Sequence, residues 1–271
     1  MRTRSAVAAL TPSQFSALTT TQFRSLSATG VTGLSIAQIA GLSTAQIALL
    51  NATELGGLTP DQVANLTSTQ FASLTSTQIS GLSASGLAGL TEAQINAMTL
   101  TQLGGLTASQ MSSLTTTEIG QLSTTDIGAL TLTQLAGLER MQMRALTTDQ
   151  LNMLSTTQIA SMTATQIGAL TSTEWGALAT TLLLALTATQ IGALTAAQIG
   201  TLATNRLSEL AATQLTEITT TTIAALSTTT LAALTTSEIE ALSATQLSAL
   251  TDTQLASLTA DQIVALNDAI A

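Results

Sequence analysis

Cysteine, histidine and lysine are all missing from the 271 residues. Without thiol or imidazole the chain can form no disulfide, no thiolate nucleophile, no imidazole base and no Cys/His zinc site. Aromatic residues make up 1% of the chain and charged residues 8%, both well below globular usage. The charges present are fifteen acids and six arginines, for a net charge of −9. A chain of that sign repels a phosphate backbone and anionic lipid head groups, so nucleic acid is not an expected partner. No apolar run is longer than Leu182–Leu186. A spanning helix needs roughly 20 such residues, so no membrane insertion is expected. The opening MRTRSAVAALTP carries two arginines but too short an apolar run for a signal peptide. There is no P-loop, GxGxxG, GxSxG or HExxH. The acids are scattered, whereas a calcium site needs six or more converging oxygens. The expectation is a protein that is not an enzyme and holds no cofactor or metal.

Hydrophobic residues nevertheless make up 45% of the chain, which is not the signature of disorder. They are ordered by a repeat. Stepping by eight from Leu10 reaches Leu18, Leu26, Leu34 and so on to Leu266, interrupted only by Met98, Met162 and Ile218. Residues 10–265 hold 32 complete octads, a partial one follows, and nothing is inserted or deleted. The expected organisation is therefore an N-terminal arm over 1–9 and a single octapeptide-repeat solenoid over 10–271, with no linker.

The octad reads L-[T/S]-x-x-Q-[I/L]-x-[A/G], as in LSTAQIAL at 42–49. Its second apolar column runs Phe15, Phe23, Val31, Ile39 and onward to Ile263. A continuous helix would let the Leu column drift by about 80° per octad. A flat strand would send Leu and Ile to opposite faces. The chain must bend once per octad.

The bend has helical chemistry. Leu, Thr, Gln three residues on, then Ile reads as a hydrophobic staple around a capping box. Position two is Ser, Thr or Asn in 28 of 32 octads, and position five is Gln or Glu in 25 of 32. Pro12 and Pro60 both fall at the first helical position, where proline is tolerated. Asp61, Asp149 and Asp261 follow near the positive helix end. Fifteen of the 17 glycines occupy the last two positions, where a helix should stop and neighbouring backbones can approach. The predicted fold is an all-α solenoid of short helices, one per octad. The alternative is a β-solenoid, favoured by Thr-x-Thr pairs such as Thr67–Thr69.

A lone five-residue helix is unstable, so each octad must lean on its neighbours. Solenoids normally end in atypical capping repeats. Here Leu10–Ala17 and Leu258–Ala265 read like internal octads. Charge is also polarised along the sequence. No acid precedes Glu54, and no arginine follows Arg206. A candidate head-to-tail interface therefore joins Arg2, Arg4 and Arg24 to Asp252, Asp261, Asp268 and Ile270, with a second copy of the chain as partner. Octad 138–145, LERMQMRA, departs from the pattern and is either a contact patch or a drifted repeat. Trp175 lies in the Ile column and is expected in the core, and Asn51, in the sequon Asn-Ala-Thr, is expected to cap a helix.

LTPDQV at 58–63 resembles the opening of a TAL effector repeat, but those repeats are longer and bind DNA through a basic surface. The eight-residue period and negative charge set that likeness aside. From residue 10 onward the LTxxQIxAL pattern resembles tandem segments of large bacterial surface and secreted proteins. That resemblance implies an extracellular or cell-surface location and a structural or adhesive role. Two functions follow as expectations: a filament subunit, or an adhesin-like arm presenting a Thr-rich surface to a glycan or other surface partner. Ice binding through ranked threonines would require the β-solenoid.

Overall fold

A computed structural model describes residues 7–26, 28–203, 206 and 209–270. The chain groups into two compact units, Met1–Leu138 and Glu139–Ala271. Each is built from one device. An octad gives a helix of four to six residues in nearly every case, beginning with Pro12–Ser16, Thr20–Arg24, Ala28–Val31 and Ile36–Ala40. No β-strand occurs among the described residues, so the helical solenoid is the fold and the ice-binding reading loses its premise.

The capping box explains why so short a segment holds a helix. Thr67 sits extended (φ −62°, ψ 156°) ahead of the helix Ser68–Ala72. Its Oγ1 accepts the Gln70 N–H at 3.2 Å, and Gln70 Oε1 accepts the Thr67 N–H at 2.8 Å. Two of the orphan donors of a helix start are thereby satisfied. Pro12 and Pro60 each open a helix. The helix ends when the next Leu turns extended, as at Leu82 (φ −63°, ψ 139°), whose N–H still reaches the Ile79 carbonyl.

No described residue has a positive φ, glycine or otherwise, so the octads do not close on left-handed glycine caps. Glycine serves the close approach of one turn of the coil to the next instead. A Cβ at Gly105 would fall inside the backbone of Ser76, and one at Gly89 inside that of Pro60.

Within each unit the two apolar columns face inward. Ile39, Ile47, Val63, Ile79 and Ile119 in the first unit, and Ile159, Trp175, Leu183 and Ile239 in the second, are fully buried. The Leu column beside them is nearly so. Trp175 is thus a core residue, as its column predicts. Residues 7–9, assigned to the arm, already follow the repeat: Val7 is buried and its carbonyl accepts Gln38 Nε2 at 3.1 Å.

The C-terminal octad departs from its reading as an internal one. Its helix does not stop at Ala265 but runs on as Ala260–Ile270, eleven residues in all. Ile270 occupies the fifth position of the last, partial octad, where a glutamine would have closed the next capping box. Without that acceptor nothing favours a new bend at Leu266.

Candidate interaction surfaces

In most octads that carry it, the glutamine does a second job, and this builds the coil. Gln70 Nε2 donates to the carbonyls of Ile39, Ala40 and Leu42 at 2.9, 3.2 and 2.7 Å. Gln110 does the same to Ile79, Ser80 and Leu82 at 2.9, 3.3 and 2.7 Å. In the second unit Gln254 reaches Ile223, Ala224 and Leu226. These acceptors are the leftover carbonyls at the end of an earlier helix. One side chain therefore starts its own helix with its oxygen and caps the end of another with its nitrogen. The bonds span 28, 30 and 31 residues, between three octads (24) and four (32), so a turn of the coil, or rung, takes between three and four octads.

Where glutamine is replaced, this bond changes. Glu54, Glu118, Glu174 and Glu238 are buried and keep the box, as in the 2.6 Å bond from Thr235 N–H to Glu238, but a carboxylate has no hydrogen to give the rung below. Thr222 Oγ1 still donates to the Leu194 carbonyl at 3.1 Å. Arg206 sends its guanidinium to the Gly176 carbonyl at 3.0 Å and grips Glu209 at 2.6 Å. Glu209 also accepts from Thr180 Oγ1 at 2.8 Å. The hydrogen bonds from Arg206 and Thr180 hold its carboxyl below the ordinary value of 4.5. Octad 178–185 has neither a Thr cap nor a Gln. Asn152 substitutes, accepting the Ala179 N–H at 2.7 Å and donating to the Ala177 carbonyl at 2.8 Å.

The first rung of the first unit and the last rung of the second lack these bonds in complementary ways. Gln14 and Gln22 are exposed; their oxygens close capping boxes at 3.0 and 2.9 Å, while neither amide nitrogen meets a carbonyl among the described residues. At the other end, no glutamine amide among the described residues reaches the carbonyls of Ile239, Leu242, Leu247 or Leu250. There the inner column is uncovered: Leu255 is 37% and Ile263 43% exposed, although equivalent positions inside the units are shut from solvent.

Of the residues named for a head-to-tail interface, Arg2 and Arg4 lie outside the described residues. Arg24, Asp252, Asp261, Asp268 and Ile270 are exposed, and none of the five makes a side-chain hydrogen bond or ion pair among the described residues. Sequence reasoning missed Gln14, Gln22, Leu255 and Ile263, because in the repeat they look like every other octad residue.

Octad 138–145 folds as its neighbours do. Met143 is fully buried, and Gln142 accepts the Glu139 N–H at 2.7 Å. Asn51 caps its helix, its Oδ1 accepting the Glu54 N–H at 3.0 Å. Among the described residues no group of His, Cys, Asp or Glu could hold a metal. No described helix is long and apolar enough to cross a membrane.

The class these features define is an all-α repeat solenoid. Two stretches of the chain, residues 7–44 and 135–172, match the family described as the ALTTAQ repeat, and in those stretches the protein is similar to it. No curated protein matches the chain.

Proposed function

We propose that this protein is a structural scaffold whose copies stack head to tail into a filament. The observation that supports this most is the half-made rung. Among the described residues, one end offers glutamine amides that meet no carbonyl, and the other offers carbonyls and an aliphatic column that no further octad covers. A second copy supplies the missing half in the same chemistry that joins rungs inside each unit. Apolar burial drives the join, and the amide bonds set its register. Arginine before residue 25 and acid after residue 206 add attraction between unlike ends and repulsion between like ones. Such a contact is heterologous and need not close. The setting proposed is extracellular or cell-surface, on the likeness of the octads to segments of bacterial surface and secreted proteins.

Sedimentation velocity and electron microscopy over a rising concentration series test the proposal. The expected result is end-to-end polymers that weaken with salt and shorten in Gln14→Glu/Gln22→Glu and in Ile263→Glu. Particles that remain monomeric at the highest concentration overturn it.

A further inference from the structure

The second unit carries a surface that the filament leaves unused. A cleft of about 320 Å³ is lined by Arg140, Arg144, Leu170, Thr171, Ser172 and Thr195, among others. Its volume lies at the lower end of the range of small-ligand pockets, about 300 Å³ upward. Arg140 opens the helix Arg140–Met143, and Arg144 is its C-cap. Four residues apart, the two guanidinium-bearing chains share one helix face, where like charges repel. No acid lines the cleft, and the one ion pair among the described residues is Arg206–Glu209, elsewhere in the unit. Glu174 lies behind the wall, its carboxylate turned to the Thr171 N–H at 2.5 Å.

The remaining polar groups narrow the chemistry. Gln198 is largely engaged: its nitrogen donates one hydrogen to the Leu170 carbonyl at 2.8 Å, and its oxygen accepts from Thr195 N–H and Oγ1. Thr171 Oγ1 accepts the Glu174 N–H. The donors left to meet a ligand are two guanidinium forks, the Thr171 and Ser172 hydroxyls and one amide hydrogen of Gln198. Planar paired N–H donors match the oxygens of a tetrahedral anion, and an anion between two arginines removes their mutual repulsion. In a chain of net charge −9 with six cationic side chains, two of the six meet at one concave place without a carboxylate.

We propose that this cleft binds a sulfate or phosphate group, either as the free anion or as an ester carried on a saccharide. The inference does not rest on the filament reading, because binding is read on the protein in whatever assembly state it adopts.

The test is calorimetric titration of the full chain at constant ionic strength with inorganic sulfate, inorganic phosphate, a sulfated disaccharide and its unsulfated parent. Saturable binding of the sulfate- or phosphate-bearing probes is expected, weakened about tenfold for each arginine lost in Arg140→Gln and Arg144→Gln and unchanged in Arg24→Gln. All three arginines are exposed, and circular dichroism confirms that the variants fold. Tighter binding of the sulfated disaccharide than of sulfate identifies the ester as occupant, and equal binding identifies the free anion. Absence of saturable binding, equal binding by wild type and the double variant, or an equal loss in Arg24→Gln overturns the proposal.

Discussion

Residues 58–113 and residues 170–241 are built from the same octads, yet their rungs are joined differently. In the first stretch Gln62, Gln70, Gln78, Gln94, Gln102 and Gln110 each send an amide to two or three carbonyls of the rung below. In the second, glutamine gives way to Glu174, Leu182, Arg206, Thr222, Thr230 and Glu238, and the substitutes give fewer bonds or none. The inner column stays buried in both, at Val63 and Ile79 as at Ile223 and Leu231. The difference separates two tasks. Aliphatic columns make the chain coil, and the glutamine ladder ties one rung to the next. A coil tied less often opens more readily, so amide hydrogen exchange should run faster over 170–241 than over 58–113.

The largest break in this comparison comes from Gln102→Ala. It strips donors from the carbonyls of Phe71, Ala72 and Leu74 and an acceptor from the Thr99 N–H. With each abandoned group costing about 1–3 kcal/mol, a loss of about 3 kcal/mol or more is expected by denaturant titration, with exchange in 58–113 rising to match 170–241. The comparison narrows from the other side with Glu238→Gln. This restores a donor opposite the Leu210 carbonyl, 28 residues back, and keeps the bond to the Thr235 N–H. A gain of about 1 kcal/mol and slower local exchange are expected. The smallest effect belongs to Glu209. Its carboxyl is held below 4.5 when folded, so its contribution is complete above that value and fades as pH falls through the lowered one. Thermal melts of Glu209→Gln should show a slightly flatter pH dependence below about 4.5 than the wild type, as suits a pair still partly open to solvent.

Much of the fold is legible in the eight-residue step alone. Proline at 12 and 60, threonine at the cap and isoleucine after glutamine identify the helix and its start. The ladder is legible too, in a detail easily passed over. A capping box accepts Glu as well as Gln, and the positive helix start favours Glu. Yet the fifth position holds Gln 21 times and Glu four times, a bias that makes sense only if the amide hydrogens are used. The role of Asn152 is not legible, because its partners, Ala177 and Ala179, are 25 and 27 residues away and belong to an octad whose defect is invisible until the rungs are stacked. The Arg140–Arg144 cleft is half legible: the odd octad stands out, but its far wall at 171–172 comes from another rung.

A rung of between three and four octads never comes back into step after a single lap. Adding or deleting one octad would swing everything downstream by between a quarter and a third of a revolution while leaving the interior seams intact. Repeat number thus works as a vernier: a lineage that gains or loses octads can re-aim an outward-facing residue around the axis without altering a single local bond.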